Sequence, residues 1–221
     1  NTTWATIDSH VGTTSITDAD LNKSGVVNWT GAEVVIRASN LVCSNRHPIT
    51  SQSANTLTYS GGNNTFLAAN GYGYFIQNDL KTLDNSGEWY YNASASKFYM
   101  FFGSGGPINY VVQVSTINTL ISFSSSINNI TFDGLSFKGA NHDAISCWLN
   151  NYVTIQNCDI DFSGNYGVHG NSSTNLFITN TSINHSNDVG IIINGYYGHN
   201  GHVNGTTIKN TGLIAGLGQS S

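Results

Sequence analysis

The sequence predicts an all-β protein whose C-terminal part is a parallel β-solenoid with coils of about 23 residues. Three observations predict it. First, apolar residues recur in register: Phe132, Ile155, Ile178 and Val203 are separated by 23, 23 and 25 residues, and Phe137, Ile160, Ile183 and Ile208 keep the same steps. Second, Ile145, Val168 and Ile191 form a third apolar column, beside a column of small residues, Ala144, Gly167, Gly190 and Ala215. Third, the segments between are short and β-branched, without helical periodicity, and are punctuated by Gly and Asn. Each coil turns its apolar residues inward and stacks on the next at about 4.8 Å, so equivalent positions form ladders.

Residues 1–128 are less regular and are expected to be an N-terminal portion of the β-helix carrying an insertion. Ala32 to Arg37 reads as a strand, and Asn55 to Tyr59 leads into a turn from Ser60 to Asn64. Gly87-Glu88-Trp89-Tyr90-Tyr91-Asn92 and Lys97-Phe98-Tyr99-Met100-Phe101-Phe102 alternate as the arms of an aromatic hairpin, the insertion near 87–102. Val111 to Val114 and Leu120 to Phe123 then supply strands leading into the regular coils, 129–221. Within these coils Asn141, Gly164, Asn187 and Gly212 form a turn column of residue types that tolerate positive φ. Asn157 and Asn180, two residues after an inward Ile, are expected to form an amide ladder inside the stack. A solenoid that stops in mid-coil exposes its stack edge, so the chain is expected to be covalently part of a longer one.

Composition narrows the partners. Seven Lys and Arg against twelve Asp and Glu give a net charge of −5, and only 9% of residues are charged. Seven scattered cations cannot build the basic face that nucleic-acid binding requires. Gly, Asn, Ser and Thr make up 102 of 221 residues, so the surface is solubilised by amides and hydroxyls. No stretch approaches the ~20 apolar residues of a membrane span. Cys43, Cys147 and Cys158 lack metal-site spacing and allow at most one bridge.

The Ile-x-Asn-Cys-x-Ile and Ser-Gly-Asn-x-Gly-Val pattern at 155–168 resembles the right-handed parallel β-helix repeats of the pectate-lyase-like superfamily. The hairpin at 87–100 is similar to the Gly-Glu-Trp-Tyr-Tyr-Asp hairpin of large secreted bacterial β-helix proteins, with Asn92 in place of the usual Asp. The resemblance implies an extracellular or cell-surface segment whose partner is a polysaccharide or cell-surface glycan. It also implies a groove along one face, where outward side chains of successive coils converge. The resemblance implies a glycoside hydrolase or polysaccharide lyase, in a chain whose coils continue and are followed by adhesive or secretion modules.

Glycoside hydrolysis needs two carboxyl groups about 5 to 5.5 Å apart for retention or 6.5 to 9.5 Å for inversion. Asp159 and Asp161 flank inward Ile160, so both face outward from one strand, about 7 Å apart at Cα. His142, Asn165 and Asp188 share a column, with Asp143 beside His142, so an imidazole and two carboxylates lie within about two coil spacings. The imidazole is suited to proton transfer, and carboxylates of this kind suit Ca2+, the one cofactor these residues suggest. Trp148, Tyr166, His169, Tyr196 and Tyr197 are the candidates for sugar contact, the last two in the Gly-rich bulge that lengthens the final repeat to 25. Polyuronate lysis needs cations, and the regular coils hold only Lys138 and Lys209, so a hydrolase is expected ahead of a lyase. The alternative is a non-catalytic adhesin or stalk.

Overall fold

The computed structural model describes residues 4–22, 27–38, 43–61, 68–123, 125, 127–196 and 200–212. The chain divides into two compact units between Val111 and Val112. No helix among the described residues is long and apolar enough to cross a membrane.

The first unit is an antiparallel sheet of seven strands: β1 (Ala5–Thr6), β2 (Ser9–Val11), β3 (Ser15–Thr17), β4 (Glu33–Ala38), β5 (Cys43–Ser53), β6 (Thr56–Tyr59) and β7 (Gly73–Gln77). Their order is β1-β7-β4-β5-β6-β3-β2. Its core gathers Ile7, Ile16, Val34, Ile36, Ile49 and Leu57, each at most 2% exposed. Buried Asp18 accepts the Tyr74 hydroxyl at 2.7 Å, so that carboxylate is hydrogen-bonded at a site with little access to water. The aromatic hairpin follows as β8 (Trp89–Asn92) and β9 (Lys97–Met100), with Trp89 opposite Met100 and Tyr91 opposite Phe98. The pairing is thus antiparallel throughout β1 to β9, where the sequence predicts irregular β-helix. Alternation in a run such as Glu33 to Ala38 reports strand, but neither the direction nor the identity of its partner.

The second unit is the parallel solenoid. Successive coils contribute β10 (Ile121–Phe123), β11 (Asn128–Asp133) and β12 (Ser136–Ala140); β13 (Ile145–Trp148), β14 (Asn151–Gln156) and β15 (Asp159–Ser163); β16 (Val168–Asn171), β17 (Thr174–Thr179) and β18 (Ser182–Ser186); and β19 (Ile191–Asn194), β20 (His202–Asn204) and β21 (Thr207–Lys209). They assemble three parallel sheets of four strands, β10-β13-β16-β19, β11-β14-β17-β20 and β12-β15-β18-β21. The apolar columns are in register as predicted, Phe132 to Ile155 to Ile178 to Val203 and Phe137 to Ile160 to Ile183 to Ile208. Ile145, Val153, Ile155, Ile160, Val168, Ile178 and Ile183 are all 0% exposed, and each contributes about 1.5–3 kcal/mol by leaving water.

The corners need polar groups inside the stack, because the chain bends there and frees carbonyls. Thr181 donates its hydroxyl toward the carbonyls of Thr179 at 3.0 Å and Ile155 at 3.5 Å, and accepts the Cys158 N–H at 3.4 Å. Cys158 and Thr206 repeat the arrangement one coil before and after.

Three local expectations differ. Val111 to Val114 forms no strand, and Val111 is 91% exposed. Of the expected turn column only Gly212 has positive φ; Gly164 is needed because a Cβ there would collide with the Asn141 carbonyl. Asn157 and Asn180 are exposed rather than inside, and their φ values of 53° and 48° continue a left-handed column with Gly134 and Gly205. Asn, like Gly, adopts that conformation at low cost, so the column is set by backbone geometry.

Candidate functional site

The outward face of the β10-β13-β16-β19 sheet follows from the burial of Ile145, Cys147, Val168 and Gly170, which sends the alternate residues outward. Ser146, His169 and Ile192 make one cross-strand row, and Trp148, Asn171 and Asn194 the next. Trp148, 55% exposed, lies two residues beyond the partner of His169, about 8 Å from it at Cα.

Asp143, in the turn that enters β13, anchors this face. Its side chain is 3% exposed and its two oxygens are shared among four donors. His169 Nδ1 lies 3.1 Å from Oδ2. His142 Nδ1 lies 2.9 Å from Oδ1, and the Asn165 amide and the Tyr166 N–H each approach that oxygen at 3.3 Å. Asn165 also reaches His142 Nε2 at 3.3 Å, which assigns the His142 proton to Nδ1. On the far side, His169 Nε2 faces Asn194 Oδ1 at 3.3 Å, and the Tyr166 ring packs edge-on against the imidazole at 5.0 Å. The hydrogen bond to Asp143 raises the His169 pKa above its ordinary value; partial burial opposes this, and the Asp143 charge and Asn194 add to it. A buried carboxylate fixed by several N–H donors, beneath an imidazole that is 19% exposed, is an arrangement that orients a proton-transfer group.

Of the residues singled out from the sequence, His142, Asp143, Trp148, Tyr166 and His169 are therefore brought to one face. Asp188 stacks one coil on, its N–H bonded to the Asn165 carbonyl at 3.2 Å as Asn165 N–H is to that of His142, and partial burial raises its carboxyl pKa. Asp159 and Asp161 lie on β15 in a different sheet, on either side of buried Ile160. Asp161 is 2.9 Å from His185 Nδ1 and 3.8 Å from Lys138 Nζ, while the Phe162 ring stacks on His185 at 4.7 Å. Tyr196 is 96% exposed, and Tyr197 lies outside the described residues. The groups meeting Asp143 are imidazoles and N–H donors, whereas Ca2+ takes six to eight oxygen ligands. Among the described residues no cluster of three or more His, Cys, Asp or Glu is arranged to hold a metal.

Sequence reasoning missed the contact between Asp143 and His169. They are 26 residues apart, one coil plus three, so strict column stacking sets Asp143 against Tyr166 instead. The two outward rows were readable, since 146, 169 and 192, like 148, 171 and 194, are each separated by 23. No family model, curated protein or solved structure matches the chain.

Proposed function

We propose that the chain is a segment of a secreted or cell-surface β-helix protein of the pectate-lyase-like type, and that it binds polysaccharide on the outward face of β13, β16 and β19 and cleaves it there. The observation that carries this reading is the buried Asp143 carboxylate bonded to His169, one strand row from exposed Trp148. Trp148 offers a ring face to the C–H side of a sugar, and Asn171 and Asn194, in its row, offer amides to hydroxyls. His169 is the proton-transfer group: as imidazolium, with Nε2 exchanging its Asn194 partner for the glycosidic oxygen, it donates that proton as the C–O bond breaks; water then adds to the anomeric carbon and its proton returns to Nε2. Asp143 stabilises the imidazolium and holds its ring in place.

A second reading, a non-catalytic adhesive or structural rod, draws on the ladders of the other faces. Asp133 accepts amides from Gln156 and Asn157, Asn175 donates to Asn151, and Asn200 donates to Asn175, so these outward groups bind one coil to the next.

The two are separated by a reducing-sugar and unsaturated-product screen against plant, algal and microbial glycans. Cleavage that is lost in His169→Ala supports the first reading. Binding without cleavage, with Trp148→Ala releasing the glycan, supports the second.

A further inference from the structure

The β8–β9 hairpin carries a cluster of rings that plays no part in the site described above. Its register sets Trp89 opposite Met100 and Tyr91 opposite Phe98, so alternation places these four on one face. There Trp89 is 59% exposed, Tyr91 49% and Phe98 37%, with the Trp89 and Phe98 rings 5.7 Å apart and 23° from parallel. A two-stranded ribbon alone is marginal in water, yet this one is clasped at both ends. Glu88 accepts the N–H groups of Asp84 and Asn85 at 2.7 and 2.8 Å, and the ladder runs on through Phe101 N–H to the Glu88 carbonyl at 2.9 Å. At the tip, Asn92 accepts from the Ser94 hydroxyl at 2.8 Å and the Ala95 N–H at 3.0 Å. The backbone that carries the rings is therefore set before any ligand arrives.

The chemistry of the face selects its occupant. It carries no charge, because alternation sends Glu88 and Lys97 to the opposite face. Three rings exposed to this degree present about 300 Å², well short of the ~800 Å² per partner of a stable protein interface. Anionic lipid and nucleic acid both require clustered cations, and the chain has a net charge of −5. An uncharged pyranose fits: the C–H groups of one sugar face pack on an electron-rich ring while the hydroxyls stay in water.

We propose that Trp89, Tyr91 and Phe98 form a second carbohydrate-binding site, taking uncharged pyranose units of a polysaccharide independently of the face around His169.

The test is affinity electrophoresis of the whole chain through gels containing xylan, mannan, mixed-linkage β-glucan or starch, and co-sedimentation with cellulose or chitin. The double variant Trp89→Ala with Phe98→Ala is compared with Trp148→Ala, and Trp89→Phe is the conservative control, each checked by circular dichroism. At least one of these polysaccharides is expected to retard the wild type, with apparent affinity falling about tenfold in the hairpin variant and recovering in Trp89→Phe. Equal retardation of wild type and hairpin variant overturns the proposal, as does the absence of binding to all six. Loss of binding in Trp148→Ala alone also overturns it, while supporting the site around His169. A concentration-dependent dimer that Trp89→Ala dissociates overturns it in favour of self-association. If the double variant does not fold, quenching of tryptophan fluorescence by the same soluble polysaccharides is compared between Trp148→Phe and Trp148→Phe with Trp89→Phe, since Trp4 and Trp29 remain in both; a quench present in the first and lost in the second supports the proposal, and a quench equal in both or absent from both overturns it.

Discussion

His169 and Asp143 lie on successive coils of the solenoid and meet with Nδ1 3.1 Å from Oδ2, the carboxylate buried and the far edge of the imidazole at the surface. This contact joins the fold to its proposed chemistry, because the stacking that seals the core also brings a turn residue of one coil under a strand residue of the next. It has a measurable consequence. Asp143 raises the His169 pKa, so the pair's contribution to stability is fully present below the unfolded-state value near 6.5 and is lost as pH rises through the higher folded value. Titration of His169 by NMR should give a pKa above 6.5 in the wild type, and Asp143→Asn should lower it. A His169 pKa unmoved by Asp143→Asn would show that the contact does not hold in solution.

The inward columns predict large costs on truncation. Ile155 and Ile178 are each 0% exposed at consecutive places in one ladder. Ile155→Ala and Ile178→Ala should each lose about 2–5 kcal/mol in denaturant unfolding, whereas Ile108→Ala, at a residue 92% exposed, should be near neutral.

Two glycines separate close packing from backbone conformation. A Cβ on Gly167 would meet the Gly190 carbonyl and Ile183 Cγ2 at 2.6 Å, so Gly167→Ala should destabilise by about 1–3 kcal/mol. Gly134 has a φ of 66° with nothing within 4 Å of an added Cβ, and Asn157 occupies the next place in its column. Gly134→Asn should therefore leave the thermal midpoint within a few degrees of wild type, while Gly134→Val should not.

The thiols of Cys147 and Cys158 are buried, and burial pushes that of Cys147 up to about 12. Burial keeps reagent from both and suppresses the reactive thiolate of Cys147, so neither should be alkylated by iodoacetamide at pH 8 in the native state. Mass spectrometry should find both modified only after unfolding in guanidinium.

Much of the solenoid was legible in the sequence because its columns are spaced by one number. Phe132, Ile155, Ile178 and Val203 can be superposed by counting, and inward direction follows from their apolar character. The first unit was less legible, since its strands pair across unequal loops: Glu33 with Gln77, and Thr17 with Thr56. The site was legible in composition but not in its central contact. Counting places His142 with Asn165 and Asp188, but the bond from His169 to Asp143 requires a side chain to reach back three residues across a corner. The Asp161 pairing with His185 fails to show in the count for a similar reason: the in-register partner of Asp161 is Asn184, and His185, with a φ of 50°, turns back to it.

The central claim is that proton transfer belongs to His169 on the first sheet rather than to the paired carboxylates of β15. The measurement that tests it most directly is kcat/KM of His169→Ala, Asp159→Ala and Asp161→Ala on a polysaccharide that the wild type cleaves. A loss of about 10²–10⁴-fold is expected in His169→Ala, with both Asp variants retaining turnover. Full turnover in His169→Ala, with its loss in Asp159→Ala or Asp161→Ala, would contradict it, as would the failure of the wild type to cleave any glycan of the panel.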